Sequence, residues 1–201
     1  MDAKIPLQPK DSQLCSAYAS SFALNNLGIK LSLDNITSQL PISEVYGIGL
    51  YDLVLFFTQF PLEIVINSNG DYFPLEWENL NSSQDILDLL SASNDLKKWQ
   101  ESLKQCLMKQ VSFQRRELQL NDLIDKYKNG WECIAYLNSS LLYNNEDKFF
   151  GHYVYIESIG NEDSIIRDSH WQYGGIKTYF SEQLLQAIHS GQDHIIWIKK
   201  P

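Results

Sequence analysis

The chain of 201 residues is 44% hydrophobic and 20% charged, which excludes a disordered protein and suffices for one globular domain. Its formal net charge of -9 disfavours nucleic acid or an anionic membrane as a partner. The N-terminus has no apolar signal-peptide core, and no run of about 18 apolar residues predicts a membrane span. We therefore expect a cytoplasmic protein without a secretory signal.

The cysteines lie at positions 15, 106 and 133, an odd number without CxxC spacing. This pattern argues against a disulfide framework and against a zinc ribbon, so we expect reduced thiols and neither a metal nor a cofactor. Cys106 falls beside the apolar stripe of a predicted helix, which favours a structural role for it.

Residues 11–28 predict one buried helix with Cys15 in its first turn. Asp11 or Ser12 can cap its start, and Gly28 can supply the left-handed residue that ends it. The positive end of the helix dipole favours a thiolate, which makes Cys15 a candidate nucleophile. The alternative is a buried structural cysteine, which is the commoner role of a single free Cys.

The rest of the N-terminal half predicts mainly helices. A short helix within residues 31–40 stops at Pro41, and a buried helix over residues 50–60 ends at Pro61. A strand at residues 63–66 follows.

From residue 81 to residue 128 apolar side chains recur at three- and four-residue steps with charges on the other face, which predicts further helices. Asn121 can cap the last of these helices, and Asn129 with Gly130 can end it.

After Gly130 the pattern becomes that of strands. The predicted strands cover residues 131–137, 152–159, 164–168, 176–180 and 195–198, and a helix capped by Ser181 precedes the last one. The sequence therefore predicts an α+β fold in a single domain over residues 1–201. Residues 1–128 form a mainly helical lobe, and residues 129–201 form an antiparallel sheet or half-barrel.

His152 begins one of these strands and Asp168 ends the next. If their hairpin is centred on Gly160, the two residues lie directly opposite each other on one face, with Cβ atoms about 4.5–5.5 Å apart. A carboxylate at that distance can orient an imidazole. An odd shift of register would put Asp168 on the wrong face.

Cys15, His152 and Asp168 together are the groups that nucleophilic cleavage of an amide requires. The thiolate attacks, the imidazole holds the proton that the departing amine needs, and the carboxylate selects the imidazole tautomer. His170 lies in the same neighbourhood and is a competing base, but it has no acid at strand spacing.

These residues and their order resemble papain-like cysteine proteases, specifically the bacterial C39-like or double-glycine peptidase group. The stretch from Gln8 to Ala19 is similar to the glutamine and cysteine-helix motif of that family. Residues 151–156 are similar to its Gly-His strand, and residues 120–137 to the run before that strand. Residues 168–171, Asp-Ser-His-Trp, resemble papain's Asn-Ser-Trp signature with one residue inserted.

The resemblance implies a two-lobed papain-like fold with a cleft between the lobes and a helical insertion at about residues 81–120. It implies Gln8 as the oxyanion donor, together with the backbone N–H of Cys15. Gln13 competes for this role, because the family's glutamine usually stands six positions before the cysteine, whereas Gln8 stands seven before it and Gln13 two. Trp171 would cover the contact between His152 and Asp168.

The implied function is a cysteine hydrolase that cleaves peptide or isopeptide bonds of a protein or peptide substrate through a thioester. Three alternatives use the same sequence features. A glutamine deamidase or acyl transferase would use the same triad, and a binding module would keep the fold without catalysis. A bacterial effector or toxin exported without a signal would add an inhibitor or immunity protein as a partner.

Overall fold

A computed structural model describes residues 5–44, 47–69, 82–93, 95–143 and 150–201 of the chain. The helices of these residues are α1 Cys15–Asn26, α2 Leu33–Gln39, α3 Leu50–Phe57, α4 Ser83–Ala92, α5 Lys98–Met108, α6 Leu120–Lys128 and α7 Ser181–Ser190. The strands are β1 Glu63–Asn67, β2 Ser112–Gln114, β3 Glu132–Asn138, β4 Gly151–Ile159, β5 Asp163–Asp168, β6 Gly175–Phe180 and β7 Ile195–Lys199. Within the described ranges, no helix combines the length and the apolar character needed to cross a membrane.

The strands form one sheet in the order β2-β1-β7-β3-β4-β5-β6. Neighbouring strands are antiparallel except for β1 and β2, which are parallel. The predicted α+β class is confirmed. The sheet is not confined to the C-terminal third, because β1 and β2 from the mainly helical half extend it beyond β7.

The prediction of helix throughout residues 81–128 is wrong at β2. Phe113 is buried between two more exposed neighbours, which is the alternation of a strand. Three residues are too few for this period to show in the sequence, and the segment becomes a strand because it pairs with β1. Asn81, where the predicted helical run begins, lies outside the described residues.

Helix α1 starts later than predicted. Leu14 is its N-cap and no side chain caps it, so the predicted cap by Asp11 or Ser12 is wrong. Asp11 has a φ of 60°, and the N–H of Ser12 donates to the carbonyl of Pro9 at 3.2 Å, so the chain turns before the helix begins. Cys15 is therefore the first residue of α1. The prediction for the other end is confirmed, since Gly28 follows the helix with a φ of 75°.

Two other predicted caps are also wrong. Helix α6 is capped by Gln119, whose backbone N–H donates to Asp122 Oδ2 at 2.8 Å, and Asn121 lies inside the helix. Ser181 is the first residue of α7 rather than its cap. Its hydroxyl donates to the carbonyl of Gly160 at 2.7 Å and so joins α7 to the β4–β5 turn.

The sheet carries a helical layer on each face. Tyr153 and Tyr155 of β4 belong to the core that contains α1 and α3, whereas Val154 and Ile156 belong to the core that contains α6 and α7. Helix α1 packs directly on β4, β3 and β5. Its alanines are buried, which lets the helix approach the sheet closely. The N-terminus of α1, with Cys15, is thereby held beside the sheet.

Leu24 of α1 has no exposed surface. Leu24→Ala should lower the free energy of unfolding by about 2–5 kcal/mol, because it leaves a cavity where α1 meets the sheet. Urea denaturation at neutral pH measures this loss. Leu89→Ala is the matched control, since Leu89 is 43% exposed and should cost less than about 0.5 kcal/mol. Equal losses in the two variants would contradict the packing of α1 described above.

Candidate active site

The β4–β5 hairpin does not have the predicted register. Ile159 pairs with Ser164, which is three residues beyond the partner that a turn centred on Gly160 would give. An odd shift of this kind would have turned Asp168 to the wrong face. A β-bulge between Ile156 and Ser158 then removes one residue, so that Tyr155 pairs with Arg167 and the shift becomes two. Because this shift is even, the side chain of Asp168 lies on the same face of the sheet as that of His152.

As a result, Asp168 lies diagonally across from His152 and not directly opposite it, and the prediction of direct opposition is wrong. Diagonal cross-strand side chains are still within reach of each other. The Nε2 atom of His152 lies 2.8 Å from Oδ1 of Asp168. His152 and Asp168 are buried, with 1% and 0% of their surface exposed. The bulge therefore decides that the carboxylate meets the imidazole.

The carboxylate of Asp168 accepts hydrogen bonds from three segments. Besides His152, the backbone N–H of His170 donates to Oδ1 at 2.8 Å, and the hydroxyl of Tyr143 donates to Oδ2. Burial raises the pKa of Asp168, but the hydrogen bond and charge of His152 and the hydrogen bond of Tyr143 lower it below its ordinary value. An ionised carboxylate only accepts hydrogen bonds, so Nε2 of His152 carries the proton and Nδ1 is left for the thiol.

Cys15 is partly exposed and interacts with the ring of His152. Burial raises the pKa of Cys15, yet the charge and hydrogen bond of His152, with the backbone N–H groups of Tyr153 and Ser16, lower it below its ordinary value. In turn, burial lowers the pKa of His152, but the charge of Cys15 and the hydrogen bond to Asp168 raise it above its ordinary value. Both directions favour a thiolate beside an imidazolium.

The other two cysteines have thiols whose pKa is raised. Burial and the charge of Asp52 raise the pKa of Cys106 to about 12. Burial likewise raises the pKa of Cys133 well above its ordinary value. Of the three thiols, that of Cys15 is therefore the one with a lowered pKa.

His170 is occupied by other contacts. Its Nδ1 accepts the backbone N–H groups of Gln172 at 3.2 Å and of Tyr173 at 3.1 Å. Burial and the charge of His152 lower its pKa, although Asp168 raises it. Its ring stands edge-on to that of His152, 5.8 Å away. The imidazole that contacts the acid is therefore that of His152, and the lowered pKa of His170 favours a neutral ring beside it.

Trp171 lies further out than expected. Its ring stacks on His170 at 5.9 Å, and the Nζ atom of Lys10 lies 5.3 Å from its centre. The rings that contact His152 are those of His170 and Phe150, the latter at 6.3 Å. The predicted cover of the dyad is thus supplied by these two rings, and Trp171 covers His170.

Two clefts of similar size meet at Cys15. The first, of about 410 Å³, we call the histidine-side cleft, because its lining includes His152, His170, Phe150 and Trp171. The second, of about 420 Å³, we call the aromatic cleft, and its lining includes Tyr51, Trp99, Tyr136 and Tyr153. Both clefts share Gln13, Cys15 and Gly151. An extended chain could therefore cross the thiol from one cleft to the other.

Both candidate oxyanion donors line this region. Gln8 lines the histidine-side cleft with Cys15, while Gln13 lines both clefts. The Nε2 of Gln8 donates one proton to the carbonyl of Ser12 at 3.2 Å, which leaves a second proton on the same nitrogen. The backbone N–H of Gln8 donates to the carbonyl of Ser169 at 2.7 Å, so the segment before α1 is tied to the residue after Asp168.

Sequence reasoning missed Tyr143 and the steric role of Gly151. Tyr143 follows a short 3₁₀ turn and belongs to no periodic pattern, so only the structure shows that it binds Asp168. The hydroxyl of Tyr136 lies where a side chain on Gly151 would begin. A larger residue before His152 would therefore have to displace the side chain of Tyr136. Among the described residues, no group of three or more His, Cys, Asp or Glu side chains converges as metal ligands would.

The described elements have the α+β fold of a papain-like C39 peptidase domain, and the predicted fold is confirmed. Among solved structures, the chain is similar to a double glycine motif protease from an AMS/PCAT transporter, determined in complex with the leader peptide. The two chains share 12% identity with a TM-score of 0.51, and the match covers 98% of this chain and 92% of that one. No protein-family model matches the chain. No curated protein matches it either.

The lowered pKa of Cys15 predicts fast alkylation in mild acid. Iodoacetamide at about pH 6 should label Cys15 at least about tenfold faster than Cys106 or Cys133, because an ordinary thiol loses about tenfold in thiolate for each pH unit below its pKa. The labelling rate of Cys15 should fall only when the pH drops through the lowered pKa of its thiol. Mass spectrometry of peptides after timed labelling gives the three rates. His152→Ala should move the fall of the Cys15 rate to higher pH, and an unchanged profile would contradict the pairing.

Tyr143→Phe should lower the free energy of unfolding at pH 7 by about 1–3 kcal/mol, because it removes a donor from a buried carboxylate. Part of this loss should disappear in acid as Asp168 takes up a proton, since a depressed pKa stabilises the folded state only while the carboxylate is ionised. Urea denaturation at several pH values measures both effects. Tyr127→Phe, at a tyrosine 41% exposed, is the control and should stay within about 0.5 kcal/mol of the wild type.

Proposed function

We propose that the chain is a papain-like cysteine hydrolase of the C39-like group that cleaves peptide or isopeptide bonds. The observation that carries the proposal is a single imidazole with an acid on one side and an activated thiol on the other. Asp168 binds Nε2 of His152 at 2.8 Å, and Cys15 interacts with the same ring. The similar solved structure supports the fold on which this arrangement stands.

In the proposed reaction, the thiolate of Cys15 attacks the carbonyl carbon of the scissile bond. The oxygen becomes negative and is bound by the side-chain amide of Gln8 and the backbone N–H of Cys15. The imidazolium of His152 gives its Nδ1 proton to the leaving amine, and the bond to nitrogen breaks. A thioester remains on Cys15. His152 then takes a proton from water, and the hydroxide adds to the thioester carbon. The carbon–sulfur bond breaks, the acid product leaves, and the thiolate of Cys15 is restored beside the imidazolium.

Asp168 takes no proton in this sequence. Its carboxylate holds Nε2–H of His152, which keeps Nδ1 directed to the thiol and stabilises the imidazolium. The hydrogen bonds of Tyr143 and His170 hold the carboxylate in turn. The ring therefore has one orientation throughout the cycle.

The position of His152 determines in which direction a peptide substrate would run across Cys15. The leaving amine must reach the imidazolium, so the part of the substrate C-terminal to the scissile bond occupies the histidine-side cleft. The acyl part stays bonded to Cys15 and occupies the aromatic cleft. Clefts of a few hundred Å³ on either side suit an extended peptide. The solved neighbour is a double glycine motif protease bound to a leader peptide, so peptides with a double glycine are the first substrates to test.

Asp168→Asn should lower kcat/KM on a cleaved peptide by about 10–100-fold, because the amide oxygen still accepts the His152 proton but the charge is lost. Asp168→Ala should be at least about tenfold slower again, because the ring is then free to take the wrong tautomer. Cys15→Ala should abolish cleavage. Peptides containing double glycine and glutamine are incubated with each variant, and the products are identified by mass spectrometry.

Asp122→Asn is the matched control, because this carboxylate accepts a hydrogen bond in the first turn of α6, away from the clefts, and its loss should leave turnover at the wild-type level. Chain cleavage supports a peptidase, whereas a gain of about one dalton on glutamine without cleavage would assign a deamidase. Unchanged turnover in both Asp168 variants, with loss in His170→Ala, would overturn the roles proposed here.

A further inference from the structure

Among the described residues that line the aromatic cleft, Asp52 is the carboxylate. Asp52 lies in the first turn of α3, and its side chain is 20% exposed. The hydroxyl of Ser102 on α5 donates to its Oδ1 at 2.6 Å and holds it in place. The Nζ atom of Lys98 lies 3.9 Å from Oδ2, but that side chain is 82% exposed, so this ion pair is long and solvated. A second cation could therefore take the place of Lys98.

The other walls of the aromatic cleft suit the stem and head of a basic side chain. Tyr51 and Trp99 stack with ring centres 6.3 Å apart, and Tyr136 and Tyr153 lie 5.0 Å apart. Aromatic faces attract cations, and apolar walls cover the methylene stem of lysine or arginine.

The charged groups that line the aromatic cleft also favour binding of a cation. Burial lowers the pKa of His194, which also lines the cleft, to about 4, so this imidazole is neutral at neutral pH. Lysine and arginine do not occur among the described residues that line it. Apart from the thiol of Cys15 at its edge, the described lining of the cleft therefore places the carboxylate of Asp52 among aromatic walls with no cation from lysine or arginine, in a protein whose net charge is also negative.

We infer that the aromatic cleft selects a lysine or arginine side chain on the acyl side of the scissile bond, with Asp52 as the specificity-determining carboxylate. This inference rests on the proposed function, because Cys15 and His152 define which cleft holds the acyl part. The rival role for Asp52 is a structural link between α3 and α5 through Ser102. Asp52→Asn separates the two roles, because an amide oxygen still accepts the Ser102 hydrogen bond while the charge is gone.

Peptidyl chloromethyl ketones test the inference without requiring turnover. They alkylate a cysteine by forming a bond from sulfur to the methylene carbon while chloride leaves, and the peptide part occupies the acyl cleft. Lysine is placed in turn at the first, second and third residue from the ketone, and norleucine at the same place is the uncharged match. Each rate at Cys15 is divided by the iodoacetamide rate of the same variant, which removes differences in thiol reactivity.

For at least one of the three positions, the wild type should prefer the lysine reagent over its norleucine match by about tenfold or more. In Asp52→Asn the preference should fall to within about twofold of unity. Asp34→Asn is the matched control, since it removes an exposed first-turn carboxylate from α2 and should keep the wild-type preference. Lys98→Met removes the competing cation and should enlarge the preference, which provides a second test if Asp52→Asn does not fold.

Equal rates for lysine and norleucine at all three positions in the wild type would overturn the inference, as would a preference that survives in Asp52→Asn or shrinks in Lys98→Met. The proposed function fails in a different way. If iodoacetamide labels Cys15 no faster than Cys106 and Cys133, the activated thiol is absent and both proposals fall together.

Discussion

The buried carboxylate of Asp168 is the group on which the rest of the candidate site depends. A charge without contact to water costs several kcal/mol unless it is fully hydrogen-bonded. Here the donors come from three separate segments, with His152 on β4, Tyr143 after the 3₁₀ turn and the backbone of His170 after β5. Each segment must be in place for the carboxylate to be satisfied. The same bonds that make burial tolerable also orient the imidazole toward Cys15.

The segment before α1 links that helix to the loop that follows Asp168. The N–H of Gln8 donates to the carbonyl of Ser169, and the hydroxyl of Tyr18 donates to the carbonyl of Leu7 at 3.1 Å. The segment before α1 is therefore tied both to the helix and to the loop that follows Asp168. This arrangement holds the thiol of Cys15 and the imidazole of His152 at a common cleft, although they come from opposite halves of the chain.

The two clefts that meet at Cys15 differ in the charged and aromatic groups that line them. On one side, the imidazole of His152 is surrounded by aromatic rings that exclude water and strengthen its bond to the acid. On the other side, the carboxylate of Asp52 lies among the aromatic side chains of the aromatic cleft. Cys15 lies between them. In the proposed reaction the histidine-side cleft serves proton transfer and the aromatic cleft serves recognition.

The sequence by itself determined most elements of the fold, because their causes are local. Hydrophobic periods predicted α3, α5 and the strands of the C-terminal third, and glycine at positions 28 and 130 marked helix ends where φ is positive. It also singled out Cys15, His152 and Asp168 from their residue types and places in these elements.

Only the tertiary structure decided how these pieces meet, because the deciding contacts join residues far apart in the chain. Strand β2 forms only because β1 is beside it, and Tyr143 becomes a partner of Asp168 only once the 3₁₀ turn packs there. The register of the β4–β5 hairpin shows the difference most clearly. The turn alone would have separated His152 from Asp168, and a bulge one residue long brings them to the same face. Since successive side chains of a strand point to opposite faces, a single residue decides whether the dyad exists, and no local pattern encodes it.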